Sequence, residues 1–336
     1  MEPEISRGIE IALIKYAFAR IMSVSDPIRN SVVETSHSTW RLGHTIECAR
    51  LPKPDDRSAI ASWKDGDNFY ILRLAKSEQL PDATPANSCE VRLIHEGGTL
   101  SAVWAIGNNA ICKVHHWSPN TTSECDTIKF IQKMVPKVPV PEVINSWVDG
   151  DRSFLVLKRV PGITLRDAWE TMSAVQQESI LDEVVHMCDL LASVTSGRLQ
   201  NVNGGPVLES YLAHSERNFL EPLSVYESKK YFIQESIRSN PEIEEKFHLY
   251  HADLGPGNII VSNQKLSAII DWESAGFYPR FWISTKPSVS RGLNFHPPIP
   301  GIAETEWRKR LRVKLEDSGY PRFAEWYMEW KNTNSR

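Results

Sequence analysis

One segment of the sequence carries a histidine, two acids and an amide at spacings suited to chemistry on a nucleotide. His251 and Asp253 are separated by one residue, Asn258 follows on the same polar stretch, and Asp271 lies further on in Ile-Ile-Asp-Trp-Glu. Phosphoryl transfer needs one carboxylate to accept or orient the proton of the attacking hydroxyl. An amide oxygen and a second carboxylate can hold magnesium, a cation that prefers oxygen ligands. Asp253, Asn258 and Asp271 can supply these three groups.

The elements predicted around these residues would bring them together. The segment from Phe247 to Phe277 reads as a strand, a polar loop, and two short strands with a turn at Ser262–Lys265. The base and the amide then lie on one loop, and the second carboxylate lies at the end of the adjacent hairpin. This arrangement lets the three side chains converge.

The sequence upstream of this segment is mostly of β type. A Gly97–Gly98 turn separates the first two strands, Asp149–Gly150 is typical of a hairpin, and Thr121 with Glu124 resembles a helix capping box. The predicted order is strand, glycine turn, strand, strand, helix to about Met134, strand, strand. The strands are predicted at Glu90–Ile94, Ser101–Ile106, Ala110–Trp117, 142–148 and 153–160.

The sequence downstream of Pro161–Gly162 is mostly helical. We expect a short helix after Thr164, a long helix from the cap Ser173 to about Val194, a helix between about Pro222 and Glu245, and two more near the C-terminus. A β-rich half followed by a helical half favours two lobes with a cleft between them. The fold class expected is therefore α+β.

The first 87 residues give the weakest signals. Helical spacing marks residues 8–22, and a proline-rich stretch from Pro81 to Ser88 is typical of a linker. We predict a partly helical N-terminal extension over 1–87, a nucleotide-binding lobe over 88–160, and a catalytic and substrate-binding lobe over 161–336.

Composition limits the class of protein. The 336 residues carry a net charge of -4, so a nucleic-acid partner is disfavoured. Five cysteines without C-x-x-C spacing favour a reducing compartment and a cytoplasmic location. The apolar stretch Ile9–Met22 is short and interrupted by charges, so we expect no membrane attachment, and no obligate protein partner is evident.

The motif H-x-D-x-x-x-x-N followed by I-I-D-W-E resembles the aminoglycoside phosphotransferase and choline kinase family. The amino-acid sequence around the motif is similar to that of fungal-type members. The resemblance covers about residues 89–336. It implies a bilobal protein-kinase-like fold, with a small β-rich N-lobe that carries one helix and a larger, mainly helical C-lobe. It also implies that ATP and Mg²⁺ are used to phosphorylate a hydroxyl of a small molecule.

The resemblance also assigns roles to residues. It implies that Asp253 is the catalytic base, that Asn258 and Asp271 bind Mg²⁺, and that His251 braces the loop. Lys113 would hold the α- and β-phosphates and pair with Glu124. Further nucleotide contacts are implied for the turn Gly97–Gly98 and for the segment Leu157–Val160, which includes Lys158 and Val160.

Departures from the family pattern bear on these roles. Ala252 stands where the family most often has glycine, and the Gly97–Gly98 turn lacks a full G-x-G-x-x-G, so a plain hairpin turn is an alternative there. No arginine follows His251 and no D-F-G occurs at Asp271, which disfavours a protein substrate.

Two other classes stay open. A pseudokinase would bind nucleotide or act as a scaffold without turnover, and the presence of the reacting residues disfavours it. A metal hydrolase using His251 and Asp253 would need further ligand motifs. For the acceptor, the walls are expected near Gly197–Ser224 and from Phe277 onward, and the absence of a dense acidic cluster there disfavours an aminoglycoside.

Overall fold

The computed structural model describes residues 27–54, 58–76, 84–117, 123–213, 218–303 and 306–334. The chain divides into two compact units. The first unit takes its described residues from Met1–Pro119 and Glu142–Arg159, and the second unit takes them from Asn120–Pro141 and Val160–Arg336. The helix predicted over residues 8–22 lies outside the described residues.

The first unit contains two antiparallel sheets. The six-stranded sheet has the order β4-β5-β3-β2-β1-β6, and the five-stranded sheet has the order β10-β11-β9-β8-β7. The strands are β1 (Val32–Ser36), β2 (Thr39–Leu42), β3 (Ile46–Leu51), β4 (Ala61–Asp65), β5 (Asn68–Leu74), β6 (Thr84–Pro85), β7 (Val91–Gly97), β8 (Ser101–Ile106), β9 (Ala110–His116), β10 (Val143–Asp149) and β11 (Arg152–Lys158).

Alternation of side chains decides which face of the five-stranded sheet is buried. In β9, Ala110, Cys112 and Val114 are buried, whereas Lys113 lies on the opposite, less buried face. Buried residues from both sheets belong to one apolar cluster, which includes Trp40 of β2. The two sheets therefore share a single core.

The first 87 residues were predicted to form a partly helical extension, and their described part differs from that prediction. The described residues of that stretch form β1–β6, and they belong to the same compact unit as the nucleotide-lobe strands. The alternation of apolar and polar residues that marks a half-buried strand is absent from β2, because Trp40, Arg41 and Leu42 are all buried. Arg41 is accommodated there because its guanidinium donates to the carbonyl of His44 at 2.9 Å.

The second unit is mainly helical and carries small sheets. Its strands pair in the orders β12-β17-β18, β13-β16-β19 and β14-β15. The helices are α1 (Glu124–Met134), α2 (Leu165–Ala168), α3 (Ala174–Ala192), α4 (Val225–Phe232), α5 (Arg280–Val289), α6 (Glu306–Asp317) and α7 (Ala324–Asn334), and the strands are β12 (Ile163–Thr164), β13 (Thr195–Ser196), β14 (Arg198–Leu199), β15 (Leu223–Ser224), β16 (Phe247–Tyr250), β17 (Ile259–Ser262), β18 (Lys265–Ile269) and β19 (Gly276–Tyr278).

Local capping chemistry explains where the helices begin. Ser173 starts α3 with a reciprocal capping box that involves Gln176, as the sequence predicts. The length predicted for the helix between Pro222 and Glu245 is wrong, because α4 ends at Phe232. Asn240 donates from its amide to the carbonyls of Gln234 (2.8 Å) and Ile237 (2.7 Å), and these bonds favour a turn over a helix.

Helix α1 differs from expectation in both its cap and its place. Its N-cap is Ser123, whose hydroxyl accepts from the amide of Asp126 at 3.3 Å, whereas Thr121 lies outside the described residues. The sequence placed this helix in the lobe 88–160, but it belongs to the second unit, where Phe130 packs edge-on against Phe277 at 6.1 Å.

The α+β fold class is confirmed, with a β-rich first unit and a mainly helical second unit. Among the described residues, none of the helices combines the length and the apolar character needed to cross a bilayer.

Candidate active site

The loop from His251 to Asn258 follows directly from strand β16. His251 is fully buried, and its ring meets Trp272 edge-on at 4.4 Å. Its Nδ1 accepts from the backbone amide of Asp253 at 3.1 Å, so its Nε2 is the nitrogen that donates to the carbonyl of Ile270 at 3.0 Å. The ring thus joins the loop to the residue that precedes Asp271, which supports the bracing role assigned to His251.

The carbonyl groups of this loop are held by partners from several parts of the second unit. The indole of Trp307 on α6 donates to the carbonyl of Leu254 at 3.0 Å, and the amide of Arg166 on α2 donates to that of Pro256 at 3.0 Å. The backbone amide of Asn258 closes the loop on the carbonyl of Gly255 at 3.0 Å. A loop tied at these points keeps its side chains in place without rearrangement.

The amide of Asn258 fixes the position of the Asp253 side chain. Its Nδ2 donates both to the backbone carbonyl and to the carboxylate Oδ2 of Asp253, each at 2.9 Å. Because the nitrogen is committed to Asp253, Oδ1 is the atom of this amide that is left to serve as an acceptor or metal ligand.

Two non-glycine residues of the site have left-handed backbone conformations. Ala252 has a φ of 64°, and Asp271 has a φ of 67° with a ψ of 61°. Such conformations cost on the order of 1–2 kcal/mol for a residue with a Cβ, and they cluster at functional sites. The value at Ala252 gives a physical reason for the glycine that the family most often has there.

Asp271 follows a residue that is bonded to Asn258. The amide of Ile270 donates to the carbonyl of Asn258 at 2.9 Å, so the end of β18 is fastened to the loop one residue before Asp271. This bond, and the effect of the Asp271 carboxylate on Asp253, place the three residues in one part of the second unit, and their roles stay a prediction.

The charges of this cluster repel one another. Burial is the first cause that raises the pKa of Asp253, and the nearby Asp271 carboxylate is the second, so that the pKa rises from 3.8 to about 6. Lys286 and the hydrogen bond from Asn258 lower the pKa of Asp253, while Glu209 raises it further. A cation bound between the carboxylates would relieve this repulsion.

The donor set fits magnesium. Asp271 offers a carboxylate and Asn258 an amide oxygen, and Mg²⁺ in nucleotide sites completes its shell with phosphate oxygens and water. In the described part of the chain there is no group of three or more His, Cys, Asp or Glu side chains that could hold a metal ion. Asp271 and Asn258 would be the protein's ligands for such a cation.

Glu124 of α1 is buried beside this cluster. Its Oε1 accepts from the backbone amide of Trp272, the residue after Asp271, at 3.2 Å. Lys113, its predicted ion-pair partner, belongs to the first unit, and their pairing stays a prediction.

The predicted phosphate contacts lie within strand β9 and at the turn that follows β7. Lys113 is central in β9, opposite Val103 on β8 and Leu155 on β11. Gly97 ends β7, and Gly98 has a φ of 63°, a left-handed conformation that favours glycine in the turn before β8. Their contact with phosphate stays a prediction.

The segment Leu157–Val160 runs off the end of β11. The amides of Lys158 and Arg159 already donate to the carbonyls of Glu142 (2.9 Å) and Asn109 (2.8 Å). Any adenine contact from Lys158 would therefore use its carbonyl rather than its N–H. The Lys158 side chain is exposed and pairs with the Glu142 carboxylate at 3.1 Å, and Val160 begins the second stretch of the second unit.

Sequence reasoning missed three residues near the site: Trp307, Glu209 and Lys286. Glu209 and Lys286 form a buried ion pair whose charges act on Asp253. Lys286 carries no local signal, because the polar residues Ser284 and Thr285 precede it in α5. Glu209 and Trp307 gave none, because only the fold reveals their partners.

Comparison with known proteins places the chain in a family. The sequence model of the phosphotransferase enzyme family matches residues 66–282. The chain belongs to this family, which confirms the resemblance to aminoglycoside phosphotransferases.

Individual relatives are distant. The hygromycin-B 4-O-kinase of Escherichia coli is 23% identical in an alignment of 157 positions that covers 42% of this chain and 44% of that protein. The chain therefore matches less than half the length of this relative.

Two of the solved structures to which the chain is similar are aminoglycoside phosphotransferases. A thermostable mutant of APH(4)-Ia, in ternary complex with AMP-PNP and hygromycin B, is 16% identical over 73% of this chain and 93% of its own, with a TM-score of 0.40. An aminoglycoside-3'-phosphotransferase of type VIII is 15% identical over 73% of this chain and 92% of its own, with a TM-score of 0.46.

Proposed function

We propose that the protein is an ATP-dependent phosphotransferase that moves the γ-phosphate to a hydroxyl of a small-molecule metabolite, with Asp253 as the catalytic base. The observation that carries this proposal is the 251–258 loop, in which Asn258 holds the Asp253 carboxylate at 2.9 Å next to the end of β18. Membership of the phosphotransferase enzyme family supports the same chemistry.

Each residue of the cluster has a task in this reaction. Asp253 accepts the proton of the acceptor hydroxyl as its oxygen attacks the γ-phosphorus. Asn258 orients the base and, through Oδ1, would hold Mg²⁺ together with Asp271. The bound cation supplies neutralisation of the phosphate charge and of the two acids.

The nucleotide contacts are part of the same proposal. Lys113 would hold the α- and β-phosphates and Glu124 would orient it, while Gly97 and Gly98 would cover the phosphates. Lys158 and Val160 would flank the adenine. These roles rest on the family pattern and on the strand positions of the residues.

A pseudokinase is the second candidate. It is disfavoured because the groups that transfer requires are present, and because the loop holds the base in a defined position.

The test is an ATP-consumption screen over amino sugars, choline-like alcohols, sugars and secondary metabolites. We expect transfer to at least one small hydroxyl compound, with Asp253→Ala as the blank and the exposed Asp317→Asn as a matched control that keeps full activity. Nucleotide binding without transfer to any acceptor would instead support the pseudokinase, and activity on peptides alone would contradict the small-molecule acceptor.

A further inference from the structure

The six-stranded sheet of the first unit is buried on both of its faces. Side chains alternate along each strand, so Trp40, Cys48 and Leu72 point together into the core shared with the five-stranded sheet. Ala49 and Ile71 are opposite one another on the other face, which we call the outer face. They are 2% and 0% exposed, and neither belongs to the core cluster. Because a sheet face that meets water leaves its side chains accessible, a further layer covers this one.

The next row of side chains on the outer face shows the same burial. It runs across four strands, from Val33 on β1 through Arg41 and Glu47 to Arg73 on β5. Val33 and Arg41 are 6% and 5% exposed, and even the acidic side chain of Glu47 is only 14% exposed. Ser62, on the same face of the edge strand β4, is exposed. The cover therefore extends from β1 to β5 and stops before β4.

The described residues of the first unit do not form this cover. The five-stranded sheet packs on the core side, and the described part of the unit contains no α-helix. Three stretches of this unit that lie outside the described residues are longer than two residues, namely 1–26, 55–57 and 77–83. Of these, only 1–26 has more than one large apolar side chain. Its composition therefore suits an apolar face, and that of the other two does not.

The spacing of residues 8–22 predicts a stripe that matches the outer face. Residues three, four and seven positions apart share one side of a helix. Five large apolar side chains follow this spacing: Ile11, Ile14, Phe18, Ile21 and Met22. Tyr16 and Arg20 would lie on the opposite side of such a helix, so its two sides differ in character.

The dimensions of the segment and of the face agree. A helix over 8–22 would be about 22 Å long, and the four strands that carry the buried rows are about 14 Å across. Residues 23–27 connect this helix to the 3₁₀ turn Ile28–Ser31, which leads directly into β1. Five residues reach up to about 16 Å, which exceeds the roughly 10 Å between packed layers. The segment can therefore pass from that turn to the outer face.

We propose that residues 8–22 dock as an amphipathic helix on the outer face of the six-stranded sheet, with Phe18 and its neighbours in the stripe against Ala49 and Ile71. The N-terminal segment then forms a third layer of the first unit, outside its two sheets. This proposal is independent of the phosphotransferase function and of its acceptor.

Thiol labelling of the full chain measures whether the outer face is covered. A Cys89→Ser background removes the exposed native cysteine, and the other native cysteines are buried. Ala49→Cys then reports on the buried part of the outer face, and Ser62→Cys is the matched reporter on its exposed part. We expect a maleimide to label Ala49→Cys at least about tenfold more slowly, because a covered thiol reacts only when the covering layer opens.

A charge in the apolar stripe should remove this protection. Phe18→Asp should raise the labelling rate of the Ala49→Cys reporter about tenfold or more, because an unpaired carboxylate resists burial against an apolar face. Tyr16→Asp is the matched control on the opposite side of the helix, and it should leave the rate unchanged. Neither substitution should alter the rate of the Ser62→Cys reporter. If Phe18→Asp does not fold, Phe18→Ala and Tyr16→Ala repeat the comparison, with a smaller increase expected for Phe18→Ala.

Four results would overturn the proposal. Equal labelling of the two reporters beside the natural segment would show that the outer face is open. Slow labelling of Ala49→Cys that no Phe18 substitution changes would assign the cover to another stretch, such as 77–83. Protection that is lost on dilution of the protein would assign it to a second copy of the chain. Equal increases for the Phe18 and Tyr16 substitutions would show that the predicted stripe is not the docking side.

Discussion

Replacing the base by its amide, Asp253→Asn, is expected to stabilise the nucleotide-free protein while abolishing transfer. The folded protein holds the pKa of Asp253 at about 6, first because the group is buried and second because Asp271 lies nearby, whereas the unfolded chain has a value near 3.8. The folded state therefore binds more protons between about pH 4 and pH 6, and its stability falls as the pH rises through that window. Asparagine carries no charge, so the variant escapes this loss.

The magnitude follows from the difference in pKa. A shift of about two units at 1.36 kcal/mol per unit makes the ionised Asp253 cost about 3 kcal/mol at pH 8. At pH 5 the same relation gives a cost of about 1.5 kcal/mol, because the folded-state carboxyl is then mostly protonated. The Oδ1 of the new amide can still accept the bond from Asn258 Nδ2 that Asp253 Oδ2 now accepts at 2.9 Å.

The assay is urea unfolding at pH 5 and pH 8 in EDTA, without nucleotide, followed by tryptophan fluorescence. We expect the variant to be more stable than the wild type at both values, with an advantage that is larger by about 1.5 kcal/mol at pH 8. The exposed Asp317→Asn serves as the control and should show no such pH dependence. An advantage that does not grow with pH, or a variant that is less stable at pH 8, would refute the account of the buried, repelled carboxylate.

Three further substitutions test the loop around the base. Ala252→Gly should raise the free energy of unfolding by about 0.5–1 kcal/mol in chemical denaturation, because glycine adopts a φ of 64° without a Cβ penalty; a clear loss of stability would argue against strain there. Trp307→Phe keeps the aromatic packing but deletes the 3.0 Å bond to the Leu254 carbonyl, so stability should fall by about 1–3 kcal/mol, and kcat should fall more than the KM for ATP changes. His251→Ala should cost about 3 kcal/mol or more, since it leaves a cavity and unpairs the amide of Asp253; near-wild-type stability with lost activity would point to a reacting histidine instead.

The sequence was most informative where chemistry and local structure coincide. The loop that carries Asp253 and Asn258, the hairpin that ends at Asp271, and the cap at Ser173 could all be predicted, because each depends on residues close together in the chain. Short-range hydrogen bonds and turn preferences are determined by residues that are adjacent in the sequence.

Features that depend on distant residues could not be predicted. The ion pair between Glu209 and Lys286 joins segments 77 positions apart, and the Trp307 bond to Leu254 joins segments 53 positions apart. The assignment of α1 to the second unit likewise depends on Phe277. No local pattern encodes such contacts, because only the packed chain brings their partners together.

The shared core of the first unit bears on how the protein can be shortened for laboratory work. The family match begins at residue 66, in the turn between β4 and β5, and ends at residue 282, inside α5. A fragment cut at those positions would lack β1–β4. The apolar side chains of β8 and β9, such as Trp104 and Val114, would then lose the residues that pack against them in the shared core. Exposed apolar strands pair with one another and aggregate. The residues matched by the family model are therefore fewer than the residues that fold together. An insoluble fragment would not be evidence against the activity of the whole chain.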